Sequence, residues 1–219
     1  MLMVLAVHFD GASLGLPQLS GNVDRMNGRQ AWQLATESIT IIGVNCFTLL
    51  SGYFGIKLRV KSVAAYLFQC IFYAVGIATV TAITAPNLIN YDQWLESWLV
   101  LTHTDLWYVP AYFGMCLFIP FFNLLLNRLS KGQLRLLALS IVLVFSVLPT
   151  LRQKDVFLTD NGYSVLWLSC LYLLGGVLRL CGSQTSRRPA SWGAIYAGCV
   201  LATWLVRLAG DRLWMARTG

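Results

Sequence analysis

Along this chain, apolar residues gather into blocks of roughly 20, the length that crosses a hydrocarbon core about 30 Å thick as an α-helix. The blocks run over Ala35–Phe54, Val63–Ala85, Trp107–Leu126, Leu134–Leu151, Ser164–Cys181 and Ser191–Ala209, and short polar segments separate them. An apolar start, Met1–Phe9, precedes them. As helix it would rise only about 13.5 Å, too little to cross the core. There is no series of short alternating segments to close a barrel, and open sheet edges cannot be satisfied in lipid. The pattern therefore predicts an all-α fold: a polytopic transmembrane helix bundle with six full spans plus a truncated first helix. With no internal repeat, low-complexity tract or long linker, residues 1–219 are expected to form a single membrane domain.

Composition agrees with the pattern. Apolar residues make up 57% of the chain and charged residues 11%, against about 25% charged in an ordinary soluble domain. The six cysteines sit inside or at the ends of apolar blocks without CxxC spacing, which suits small packing residues rather than a redox or metal motif. Pro110 and Pro120 share the third block, where each removes a backbone donor and favours a kink or local unwinding.

The net charge of +7 excludes little by itself, but its placement does. Lys and Arg fall between apolar blocks and are not interleaved with aromatics on a polar surface, so no nucleic-acid partner is indicated. The loops with Lys57, Arg59 and Lys61, with Arg128, Lys131 and Arg135, and with Arg179, Arg187 and Arg188 carry nine basic residues and no acidic ones. They alternate with loops holding Asp10, Asp24, Arg25 and Arg29, then Asp92, Glu96 and Asp105, then Arg152, Lys154, Asp155 and Asp160. By the positive-inside rule the basic loops are cytoplasmic and the first helix enters from the cytoplasm. The same rule puts the end of the chain outside, and the basic tail, Arg207, Arg212 and Arg217, argues mildly against that last point.

Few residues offer chemistry. His8 ends the apolar start, and an imidazole in or near a membrane helix is costly enough to count as a functional candidate, although an interfacial histidine would look the same. Asn45, Thr48 and Gly52 share one helical face, within a segment that also holds Ser51 and Tyr53; close helix packing is their simplest use. Ser62, Tyr66, Gln69 and Tyr73 form a second polar stripe on the next block. Two such stripes fit either a tight bundle or a water-accessible cavity. Lys57, Arg59 and Lys61 join those blocks and suit either orientation in the membrane or the phosphates of a nucleotide-containing substrate. Trp107 and Tyr108 read as an interfacial aromatic anchor. His103 and Asp105 precede that anchor, and Glu37 is a conceivable partner for His8. Two histidines without clustered carboxylates or thiolates fall short of a metal site.

The order of these landmarks resembles the membrane acyltransferases of the acyltransferase 3 family, which includes O-acetyltransferases of bacterial surface polysaccharides. Met3–His8 (MVLAVH) is similar to the end of the family's first helix, and Gly43–Phe54 (GVNCFTLLSGYF) to its second-helix signature. Leu106–Asn123 (LWYVPAYFGMCLFIPFFN) and Gly162–Arg179 (GYSVLWLSCLYLLGGVLR) resemble two later segments. The resemblance implies transfer of acetyl from acetyl-CoA, as co-substrate and not as a bound cofactor, to a hydroxyl of a polysaccharide or glycolipid at a bacterial plasma membrane. It implies His8 as catalytic base and Arg59 and Lys61 near the donor phosphates. Lys57 is taken with those two cations as donor-binding, and Asn45, Ser51, Tyr53, Tyr66, Gln69 and Trp107 are the candidate substrate- or cavity-lining residues. Two departures stand out. The family's arginine eleven residues before the histidine would precede Met1, and members have about ten helices, so missing upstream residues are expected. A polytopic transporter or flippase, or a nonfunctional acyltransferase fragment, are the competing readings.

Overall fold

The computed structural model describes residues 42–102, 107–152, 154–182 and 196–205, together with 32, 35, 36, 38–40 and 194. His8, Glu37, His103 and Asp105 lie outside the described residues, as do Arg187, Arg188 and the basic tail. Among the described residues every regular element is helical, so the fold is all-α. The elements are α1 (Gly43–Phe54), α2 (Val60–Thr84), α3 (Tyr91–Glu96), α4 (Tyr108–Arg128), α5 (Lys131–Val142), a π-helical turn (Leu143–Val147), α6 (Leu148–Arg152), a 3-10 turn (Asp160–Gly162), α7 (Val165–Cys181) and α8 (Tyr196–Leu205).

Among the described residues three helices are long and apolar enough to cross a membrane: Val60–Thr84, Tyr108–Arg128 and the continuous stretch Lys131–Arg152. Helix α7, at 17 residues, is shorter. Large apolar side chains point outward along these helices, among them Phe68, Phe72, Phe118 and Phe121, each more than half exposed. Water would oppose that arrangement, whereas acyl chains accept it.

The described chain divides into two compact units, Thr48–Gly182 and a second drawn from Met1–Phe47 and Ser183–Gly219. In the second, the Tyr196 phenol donates to the Ile39 carbonyl at 2.6 Å. The first is built on α4 and α7. Ala111, Met115 and Ile119 recur every fourth residue along α4 and are buried, as a helix periodicity of 3.6 requires. Leu168 and Tyr172 of α7 are fully buried, and Leu126, Leu134 and Val177 form a cluster that draws in α5.

Side-chain caps fix where several helices begin. Ser130 and Gln133 exchange hydrogen bonds in a capping box at α5, Asn90 and Gln93 do so at α3, and the Ser164 hydroxyl accepts from the Trp167 N–H at α7.

The structure departs from the sequence expectation around proline. Pro110 falls in the first turn of α4, where a missing N–H costs nothing, and α4 runs through Pro120 without interruption. The helical irregularity lies instead at Leu143–Val147, a π turn in a segment without proline before Pro149. The cysteines are all free; Cys116 and Cys170 are buried packing residues, whereas Cys46 and Cys199 face outward.

Candidate functional site

Two close backbone contacts organise the site. A Cβ built on Gly52 of α1 would fall within 3.0 Å of three backbone atoms of Tyr172 on α7. One built on Gly175 would meet the Leu49 carbonyl and the Tyr53 nitrogen in the same way. The two glycines therefore face each other's helices, and α1 and α7 lie backbone to backbone. In lipid, such contact replaces the hydrophobic drive that is absent between helices. The neighbouring Gly176 receives the Leu126 side chain of α4.

That seam carries the turn that follows α1. Gly55 adopts φ 69°, a left-handed value that glycine reaches at little cost. The Arg179 guanidinium lies against it and donates to the Phe54 carbonyl at 3.4 Å. Next, the Asn123 side-chain NH₂ donates to the Ile56 carbonyl at 3.0 Å, and its oxygen accepts from the Tyr172 hydroxyl at 2.9 Å. Nearby, the Cys181 thiol reaches the Lys131 carbonyl at 3.7 Å. The end of α1, the starts of α2 and α5, and the ends of α4 and α7 thus meet at one end of this unit.

Lys57, Arg59 and Lys61 leave this anchored turn with their side chains exposed. The structure adds Arg179 to them, a residue that charge counting treats only as a topology signal. Its position after the Leu-Gly pair was the one local hint, and nothing local could show which turn it would reach.

A second group of residues lies around Tyr66 of α2. The Tyr66 and Tyr112 rings are 5.4 Å apart, and Tyr108 stacks on Tyr112 at the same separation. The Thr48 hydroxyl lies beside Tyr108, and Ser51 beside Tyr112. The Tyr66 hydroxyl is buried beside the Cys70 thiol, and the Tyr108 hydroxyl is buried beside Thr48. Trp107 packs edge-on against Tyr163 at 4.5 Å, closing the end of α4 onto the turn before α7.

Tyr66 also opens on a groove of about 690 Å³ between α2 and α3. Gln69 and Tyr73 continue its wall on α2, and Gln93, Glu96 and Ser97 supply the opposite wall. The Trp94 indole donates to the Thr79 hydroxyl at 3.0 Å and holds α3 on α2. Of the remaining predicted residues, Asn45 is half-buried one turn before Thr48, and Tyr53 is 42% exposed with its ring against Phe54.

The profile of a family described as an acyltransferase domain, acyltransferase 3, matches residues 1–216. No curated protein and no solved structure matches the chain.

Proposed function

The chain belongs to the acyltransferase 3 family, and from that premise we propose that it is an integral membrane O-acyltransferase that moves acetyl from acetyl-CoA to a hydroxyl of a cell-surface polysaccharide or glycolipid. The observation that carries this reading is the match over residues 1–216, which takes in His8, the Ser-Gly-Tyr-Phe segment and the basic residues after it. The packing supports it. Gly52, Asn123, Tyr172 and Arg179 belong to three of the segments that resemble the family, and their contacts converge on the turn leading into Lys57, Arg59 and Lys61.

In this reaction the donor's phosphates rest on the four cations of that turn, by charge-assisted contacts that favour Arg where geometry permits. His8 accepts the proton of the acceptor hydroxyl as its oxygen attacks the thioester carbonyl. The new C–O bond forms, the C–S bond breaks, and the proton passes to the departing coenzyme A thiolate. The basic loops support donor entry from the cytoplasmic face of the membrane, which the family resemblance suggests is a bacterial plasma membrane.

The test is acetyl transfer from labelled acetyl-CoA to membrane glycan, in membranes from cells expressing the chain from its native locus. His8→Ala is expected to abolish transfer at an unchanged protein level. Full activity of that variant would overturn the role given to His8, and absence of transfer by the unmodified protein would overturn the reaction.

A further inference from the structure

We propose that the groove between α2 and α3 seats the acceptor, taking an uncharged, hydroxyl-rich sugar portion, and that it is separate from the donor's cations; this rests on the acyltransferase reading above. The argument starts from charge. The lining contains one carboxylate, Glu96, and no Lys or Arg. A polyanion such as coenzyme A would meet repulsion there without compensation, whereas a neutral sugar would not.

About half of the remaining lining is apolar, from Ala74 and Ile77 to Leu88 and Val109, and can cover the C–H faces of a sugar ring. Gln69 and Gln93 carry amides that both donate and accept, Thr81 carries a hydroxyl, and Tyr66 and Tyr73 add aromatic faces to the wall, while the buried Ser97 hydroxyl is taken by the Trp94 carbonyl at 2.6 Å. The Gln93 oxygen already accepts from the Asn90 N–H at 2.9 Å, which fixes its side chain and turns the NH₂ to other partners. The buried Tyr66 hydroxyl on this wall has the Cys70 thiol beside it, a weak partner, and a ligand hydroxyl would bond it more strongly. The volume of about 690 Å³ lies within the usual range of ligand sites.

Position supplies the functional link. Tyr66 lies about 9 Å along α2 from Val60, next to Arg59, while Thr81 lies about 22 Å beyond Tyr66. A single helix therefore presents cations at its beginning and an uncharged trough of mixed apolar and hydrogen-bonding lining along the rest. Two substrates of different charge can approach along it from opposite ends.

Cys70 lines the groove and reports on it, while Cys46 and Cys199 lie outside that lining and serve as internal controls. In native-locus membranes, the rate of maleimide modification at each cysteine is read by peptide mass spectrometry. Maltotriose or chitotriose at tens of millimolar is expected to slow Cys70 modification about fivefold and to leave Cys199 unchanged. Acetyl-CoA is expected to leave Cys70 unchanged. Protection by acetyl-CoA, or by neither sugar, overturns the assignment, as does protection only by added phospholipid, which would make the groove a lipid seat.

The kinetic arm uses Gln69→Leu and Glu96→Gln, expected to raise KM for membrane glycan at least fivefold with KM for acetyl-CoA unchanged. Wild-type transfer with both variants indistinguishable from it refutes the groove alone. No transfer by wild type refutes the reaction, and Cys70 protection still decides what the groove binds.

Discussion

Gly52→Ala adds one methyl group, but it adds it where a backbone already lies. The new Cβ would come within 3.0 Å of the carbonyl oxygen, carbonyl carbon and Cα of Tyr172, none of which can rotate away. Helices α1 and α7 would have to separate by on the order of 1 Å to restore ordinary contact, and a gap of that size forfeits up to about half of each dispersion contact along the seam. Overpacking of this kind costs about 1–3 kcal/mol. Gly175→Ala strains the same seam from the other side, against Leu49 and Tyr53. Once either alanine has parted the helices, the second has less to displace, so the double variant should lose clearly less than the two single losses combined. Gly76→Ala is the control, because nothing lies within 4 Å of its added Cβ. Alanine is about 1 kcal/mol better than glycine inside a helix, so that variant should be neutral or more stable. Thermal unfolding of the purified protein in one detergent measures all four. A Gly52→Ala melt that matches Gly76→Ala would refute the backbone seam, and full additivity of Gly52→Ala with Gly175→Ala would refute the claim that they share it.

Other outcomes follow from the anchored turn. Asn123→Leu deprives the Ile56 carbonyl and the Tyr172 hydroxyl of their partner, so unfolding should become easier by about 2 kcal/mol, with KM for acetyl-CoA raised. Asn123→Asp keeps the acceptor for Tyr172 and should lose less; equal melts for the two variants would count against the network. Arg179→Gln should raise KM for acetyl-CoA by about 3- to 5-fold, the range an exposed charge pair of up to about 1 kcal/mol allows. That difference should shrink as salt is added, and one that persists at 1 M salt would point to packing instead of charge.

The long helices were legible because lipid leaves so little choice. A block of about 20 apolar residues has to satisfy its own backbone, and Val63–Ala85 and Leu134–Leu151 came out as Val60–Thr84 and Lys131–Arg152. Helix α3 was not legible: six residues with Asp92 and Glu96 among them give no spanning signal, and the Asn90–Gln93 box that starts it resembles any polar loop. Pro120 suggested a kink or local unwinding, yet α4 continues as helix through it. Thr48 and Gly52 could be placed on one helical face, but not matched to Gly175 on a helix far along the chain. Arg179 illustrates the same limit. Its charge was countable, whereas its contact with Phe54 depends on how α7 meets α1.

The anchoring of the basic turn also has a history in time. Ile56 leaves the ribosome early, yet Asn123 follows it by 67 residues and Tyr172 follows Asn123 by a further 49. At about 5–20 residues per second, the turn waits on the order of 10 s before its last anchor is synthesised. Until then Lys57, Arg59 and Lys61 are free to hold the loop against an anionic membrane surface. Newly made chains interrupted before α7 should therefore be inserted and correctly oriented, but unable to grip the donor.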